Sequence, residues 1–431
     1  MSGQLILRGL RRAADAGARR LRVALVALVL PLAFAGCATP SRLQAVPETT
    51  TATEALPGAG HIRFLVLRDT TDFSDEARQS IAKEKAWLAQ SGHQGPLPPV
   101  YFLAISGGGD SGAFTAGLLN GWTAAGTRPE FRVVTGVSTG ALIAPFAFLG
   151  PRYDGVLKTV YTDSSSDDIF KRRNLLSAFF GDALSDTTPL YKLVSRYVDR
   201  PLLDAIAAEY VKGRILLVGT TNLDTLEPVI WNMTAIAASK DPQAIELFRK
   251  IMVASAAIPG VFPPVMFDVT VEGVHYQEMH VDGGTIAQVF LYPPSFRLAD
   301  EAASAGIERK RVLYLIRNAR LDADWASVKR RTLPIAARAI SSLMQSQGVG
   351  DLYRIYVTTQ RDGIDYNLAY VPRSFDVPHV KDFDPNFMRP LYKVGYDMAL
   401  AGYPWQKQPP GYVAALRGPA AAPAVASPAG R

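Results

Sequence analysis

Cysteine is all but missing from this chain: Cys37 is the only one in 431 residues, so no disulfide can form within it. Histidine is scarce too. The five present are His61, His93, His275, His280 and His379, and none has neighbours that mark it as the base of a catalytic triad. No internal repeat is seen, which removes solenoid and propeller architectures. Basic charge looks plentiful at a formal +7, yet Arg8, Arg11, Arg12, Arg19, Arg20 and Arg22 stand against only Asp15 in the first 36 residues. The remainder is close to neutral, so a nucleic-acid partner is not expected. With 48% hydrophobic and 20% charged residues, the composition is that of a folded protein with a large core.

The basic start runs into "VALVALVLPLAFAGC", an apolar stretch from Val23 that is short for a membrane span of ~20 residues and ends in small side chains. A charged region, a short apolar region and a small-residue end make a secretory signal peptide. Phe34-Ala35-Gly36-Cys37 resembles the bacterial lipobox, with Phe34 where that pattern prefers Leu. The resemblance implies that Cys37 is lipidated and becomes the mature N-terminus. Ala38, in place of an Asp after the cysteine, implies by the same resemblance a lipid-anchored protein of the bacterial cell envelope, at the outer membrane and facing the periplasm. The expected organisation is a lipoprotein signal peptide at 1–36, a flexible Thr/Pro/Ala/Ser-rich tether at 37–60, a folded body at 61–412 and a disordered tail at 413–431.

Within the body, strand and helix signals alternate. "HIRFLVLR" reads as a short strand, and "SDEARQSIAKEKAWLAQSG" as an amphipathic helix capped by Ser74 and closed near Gly92. "VYFLAI" and "FRVVTG" read as strands flanking a helix that starts near Ser111. "RILLVGTTNLDTLEPVIWNM" reads as two strands with a turn at Leu223 to Glu227. "RVLYLIR" and "YRIYVTTQ" read as later strands with a helix between them around Leu333 to Gln347. Such alternation predicts an α/β layered domain whose largely parallel sheet is covered on both faces, with chemistry at the carboxyl ends of the strands.

Two glycine-rich turns come directly after apolar strands. Gly107, Gly109 and Gly112 have the spacing G-x-G-x-x-G, the mark of a dinucleotide-binding turn. That reading requires an acid after the next strand, but Glu130 precedes "FRVVTG". That strand leads instead into Gly136-Val137-Ser138-Thr139-Gly140 and an apolar helical run, the context of a nucleophile elbow. The first glycine loop then suits an oxyanion hole, with N–H donors from Gly107, Gly108 and Gly109. "HVDGGT" places Asp282 where a strand meets a loop, and an aspartate bonded directly to the serine can serve as its base. Period-two alternation also puts Glu278, His280 and Asp282 on one strand face, an O/N set able to hold a divalent ion. Asp282 is better used in a dyad, so neither metal nor cofactor is expected. His280 could line an acyl pocket or act as an auxiliary base. Phe146, Phe148, Phe179, Phe180 and Phe262 are core candidates, some of them able to line an acyl groove.

Ser106-Gly107-Gly108-Gly109, Gly136-Val137-Ser138-Thr139-Gly140 and Asp282-Gly283-Gly284, in this order, together with "ASAAIPGVFPP" at Ala254 to Pro264, resemble the patatin-like phospholipases. The resemblance spans about residues 100–295. It implies a three-layer α/β/α patatin-like fold and a serine acyl hydrolase acting on acyl lipids, with Ser138 as nucleophile, Asp282 as base and the Gly107–Gly109 loop as oxyanion hole. The chain departs from the family where Asp110-Ser111-Gly112 replaces a loop that continues with a basic residue. Gln288 and Phe290 stand where the family has Asn and Pro. The alternatives are a catalytically inactive lipid-binding lipoprotein of the same fold and a dinucleotide-binding oxidoreductase.

Overall fold

The computed structural model describes residues 42–50, 62–67, 70–172, 182–322 and 325–412. The expected signal peptide, Cys37, most of the tether, His61, Phe179, Phe180 and the tail lie outside the described residues. Its strands are β1 (Arg63–Leu65), β2 (Val100–Ile105), β3 (Val133–Val137), β4 (Lys171–Arg172), β5 (Ser185–Asp186), β6 (Ile215–Asn222), β7 (Glu227–Asn232), β8 (Val265–Val271), β9 (Val274–Asp282), β10 (Arg311–Arg317) and β11 (Ile364–Tyr370). Nine of them form one sheet in the order β1-β7-β6-β3-β2-β10-β11, with β9 added to β6 and β8 to β9, while β4 and β5 pair separately. The central strands β6, β3, β2, β10 and β11 run parallel. Their near-continuous burial, complete along β6, is what a sheet covered on both faces requires.

One face is covered by the helices Gly112–Ala124, Thr139–Leu149, Ala244–Ser255 and Pro385–Leu400, whose Phe114, Leu118, Ile143, Phe248 and Leu391 form the larger core. The other face is covered by Thr70–Gln90 and Thr332–Arg361, through Phe73, Leu352, Ile355 and Tyr356. The result is the α/β/α layering that the sequence leads one to expect.

Three local readings change. The first helix begins at Thr70, so Ser74 lies inside it and does not cap it. "YRIYVTTQ" is helical and ends the thirty-residue helix Thr332–Arg361. Its β-branched and aromatic residues favour a strand, but Leu352, Ile355, Tyr356 and Thr359 are buried at helical spacing, and packing overrides propensity. The strand comes after it, as β11, paired in register with β10. Finally, part of the expected tether is docked: the Arg42 guanidinium grips Asp224 at 2.8 Å, and Gln277 N–H donates to the Gln44 carbonyl at 3.0 Å.

Candidate active site

The register of β6 explains how two residues 144 positions apart become neighbours. β3 leaves the edge of β6 with Val137 opposite Gly219, and β9 takes over that edge with Asp282 opposite Thr220. Ser138, the residue after Val137, therefore meets the carboxylate at the end of β9. The Ser138 hydroxyl faces Asp282 closely enough to favour the ionised form of its carboxyl, and both side chains are buried.

Ser138 sits on a sharp turn with φ 56°, a conformation that costs a non-glycine residue of order 1–3 kcal/mol. The turn is held from outside. Ser255, fully buried, accepts the Ser138 N–H at 3.0 Å and donates its own hydroxyl to the Gly219 carbonyl at 2.6 Å. Glycine is needed on both sides, because a Cβ at Gly136 would lie 2.4 Å from the Gly140 carbonyl oxygen and one at Gly140 would lie 2.3 Å from that of Ile105. Two residues past Ser255, the Ala257 carbonyl accepts the Asp282 N–H at 2.9 Å. The "ASAAIPG" segment thus fastens both halves of the pair.

Burial pushes the Asp282 carboxyl up to about 7, against the lowering effect of the Ser138 hydroxyl and the Gly284 N–H. The latter bond is 2.7 Å. A carboxylate with such a pKa is half ionised near neutrality, as suits a general base.

The glycine loop passes directly over Ser138: a Cβ on Gly107 would come within 3.1 Å of the Ser138 Cβ. Here the sequence reading needs correction. The Gly107 N–H already donates to the Gln288 carbonyl at 3.0 Å, so it is not available to an oxyanion. Gly108 and Gly109, with φ 152° and 56°, line the same cavity as Ser138, and their N–H groups have no partner among the described residues. The loop is braced by Asn318, just past β10, whose N–H and side-chain amide donate to Ser106 Oγ and Ser106 O, both at 2.9 Å.

Gln288, where the family has Asn, joins the two loops. Its carbonyl takes the Gly107 N–H, its side-chain amide donates to the Gly284 carbonyl at 2.8 Å, and its own N–H donates to Asp351 at 2.7 Å. Ser255, Asn318 and Asp351 were not singled out in the sequence. Asn318 had a visible signal, a polar residue closing the apolar strand "RVLYLIR"; Ser255 and Asp351 look like ordinary helix residues until the loops are seen packed on them.

From Ser138 a cavity of about 290 Å³ runs between Leu142, Ile169, Phe170, Leu193, Phe262 and Met388. Phe262 is thus in the groove, whereas Phe146 and Phe148 are core. Asp110 stands at the rim of this cavity. Its carboxylate accepts from His379 Nε2 at 2.7 Å and from the Phe383 N–H at 2.8 Å, which ties the 379–383 segment against the glycine loop. This hydrogen bond and the charge of Asp110 raise the His379 pKa.

No described histidine reaches the pair. His93 and His275 are exposed and bonded locally. His280 is fully buried. The Trp231 indole N–H donates to Thr220 Oγ1 at 2.8 Å; Glu278, an acceptor, faces His280 Nε2–H at 3.3 Å, which leaves Nδ1 of the neutral ring to accept the Thr220 hydroxyl at 2.9 Å. Burial lowers its pKa, so the ring is neutral, and it neither lines the acyl cavity nor serves as a base. Glu278 and His280 pair with each other while Asp282 turns to Ser138; no cluster of three metal-ligating side chains occurs among the described residues. Glu130 is exposed beside Arg214, at the start of β3 and so at the opposite end of the strand from the glycine loop.

A parallel α/β sheet whose carboxyl edge holds a serine against a carboxylate, above an apolar cavity, defines a protein of the hydrolase kind. Residues 103–293 match the family model described as patatin-like phospholipase, a family of lipid acyl hydrolases. No curated protein matches the chain. Among solved structures it is similar to VipD from Legionella pneumophila, with 12% identity, a TM-score of 0.32 and coverage of 70% of this chain and 66% of that one. It is also similar to human GIVD cytosolic phospholipase A2, with 9% identity, a TM-score of 0.28 and coverage of 74% and 56%. In both cases the match spans less than two thirds of the neighbour's length.

Proposed function

We propose that the protein is a serine acyl hydrolase that cleaves acyl esters of membrane lipids through a Ser138–Asp282 dyad. One observation supports the reading above others: the Ser138 hydroxyl faces a buried, cation-free carboxylate at the mouth of an apolar cavity. The acyl chain lies in the cavity, whose volume is near the low end of the ~300–1,000 Å³ usual for ligand sites. Ser138 Oγ attacks the ester carbonyl as its proton passes to Asp282. The oxyanion forms opposite the Gly108 and Gly109 N–H groups, donors that are worth ~3 kcal/mol each in such sites. Asp282 then protonates the departing alkoxide, leaving an acyl-serine; it next takes a proton from the attacking water and returns it to Ser138 Oγ as the carboxylic acid leaves. Recognition of a lipid phosphate at the glycine loop is not part of this reading, since Asp110 and Ser111 occupy the place of a basic residue.

A fluorophosphonate probe tests it. The wild type is expected to be labelled on Ser138, and Ser138→Ala to lose both labelling and esterase activity. Labelling at another serine sinks the assignment, and no labelling at all favours a lipid-binding protein without catalysis. The proposed location, a lipid anchor on Cys37 at the outer membrane facing the periplasm, is independent of the chemistry; Cys37→Ala is expected to lower the share of the protein in the membrane fraction.

A further inference from the structure

The helix Thr332–Arg361 is longer than the sheet it packs on. Thirty residues span about 45 Å, whereas the seven residues of β11, the next element in the chain, span about 23 Å. β11 starts level with β10 at the amino edge of the sheet, so the helix descends from the carboxyl edge. Gln345 is bonded to Arg317 at the end of β10, and Gln347 to the Ile286 carbonyl in the loop after Asp282. From Asp351 onward the inward face is buried. The first three turns therefore overhang the carboxyl edge, on the side where Ser138 and Asp282 lie.

This overhang is apolar where water would favour polar residues. Ala336, Ile340 and Leu343 recur at i, i+4 and i+7, and all three are exposed, Leu343 by 70%. Just before the helix come Trp325, exposed by 87%, and Val328. The same stretch is basic: Lys329, Arg330, Arg331 and Arg338 occur between residues 325 and 350, with no Asp or Glu. An exposed apolar helix face, an exposed tryptophan and adjacent cations of one sign are complementary to an anionic bilayer surface, which takes apolar groups below its headgroups and holds cations at them.

We propose that Trp325 to Leu343 is a docking surface for anionic lipid bilayers, which sets the carboxyl edge of the sheet against the membrane. It acts apart from any anchor on Cys37 and apart from catalysis. The test uses the full chain carrying Cys37→Ala and Ser138→Ala, with hydrogen exchange followed in the presence of phosphatidylglycerol or phosphatidylcholine vesicles. Amides of residues 332–343 are expected to exchange at least ~10-fold more slowly on phosphatidylglycerol, to be unchanged on phosphatidylcholine, and to leave residues 351–361 as they were. The readout is local, so attachment through another segment does not imitate it. Combining Arg330→Glu, Arg331→Glu, Ile340→Ser and Leu343→Ser should abolish the slowing. With Ser138 restored, the same variant should keep its turnover of a water-soluble short-chain ester, which shows that it is folded. Unchanged exchange on phosphatidylglycerol overturns the proposal, as does slowing that survives the combined variant. Protection that appears without lipid and grows with protein concentration also overturns it, in favour of a second copy as the occupant.

Discussion

Strand β9 carries two acids that are both almost fully buried, Glu278 and Asp282, and a cation lies against only the first. Glu278 faces a guanidinium, with Arg63 Nη1 at 2.6 Å, and a neutral imidazole at 3.3 Å. Asp282 receives only neutral donors, the Ser138 hydroxyl and the Gly284 N–H. A buried carboxylate without a cation has its pKa raised by desolvation and takes a proton readily. The fold thus gives one acid an ion-pair partner and leaves the other without one by where it places a single arginine.

The strongest way to break this contrast is to remove the reactive charge. Asp282→Asn is expected to lower kcat on an ester substrate by ~10³-fold or more, as loss of a catalytic base does in coupled sites. In the wild type, kcat/KM should fall tenfold per pH unit below about 7, because the protonated acid cannot accept the serine proton. Stability should move the other way. The folded acid retains its proton up to about 7 while the unfolded one releases it near 4, so burying Asp282 costs nothing at low pH and progressively more as pH rises through 7. Asp282→Asn should therefore be more stable than wild type at pH 8, by at most about 4 kcal/mol, and no more stable at pH 4. Thermal melts at the two pH values check this; equal differences at both would mean that the charge is compensated in a way the surroundings of Asp282 do not provide.

A sharper variant gives Asp282 the cation it lacks. Gln288 Nε2 and Asp282 Oδ1 each lie within 3.0 Å of where a Cβ on Gly284 would be, so a lysine at position 288 can bring its ammonium to the carboxylate. The backbone bonds of residue 288 to Gly107 and Asp351 need not change. An opposite charge at this range lowers a carboxyl pKa by ~1–3 units. Gln288→Lys is expected to shift the acid limb of the pH profile down by at least ~1 unit and to reduce kcat by ~10-fold, since the base becomes weaker. A reduced kcat with an unmoved limb would mean that the limb belongs to another group.

How much of this could be read in the sequence depends on the distance over which each feature is encoded. The elbow at Ser138, the glycine loop and the Asp282 turn are local, since their glycines are required by nearby backbone, and all three appear as motifs flanking apolar strands. The α/β layering followed from strand–helix alternation, with a misreading at "YRIYVTTQ", where side-chain type pointed to a strand and the spacing of Leu352, Ile355, Tyr356 and Thr359 to a helix. Non-local facts were not legible. Nothing near Gly107 shows that its N–H is spent on Gln288, and nothing near Glu278, His280 and Asp282 shows that the three part company, because Arg63, Thr220 and Ser138 come from elsewhere in the chain. The departure at Asp110 likewise gained a meaning only in three dimensions, as the anchor of the 379–383 segment.

The smallest effect on turnover is expected at the other end of β9. His280 is bracketed by Thr220 and Glu278 and stacked among Trp231 and Phe267, so its contacts are structural. His280→Phe keeps the aromatic packing but removes both hydrogen bonds, leaving the Thr220 hydroxyl with its Trp231 bond and Glu278 with Arg63. Stability should drop by ~1–3 kcal/mol, the usual penalty for buried polar groups that lose a partner. Activity should stay within a few-fold of wild type below the melting transition, with the acid limb still near 7. This dissociation separates a dyad from a triad more cleanly than a sequence motif can, because a histidine that relayed the serine proton would show the reverse pattern, a collapse of kcat by ~10³-fold with little change in the melt. A collapse of that size at His280, in a protein shown by its melt to be folded, would return the imidazole to the mechanism and require Glu278 to be counted as its orienting acid.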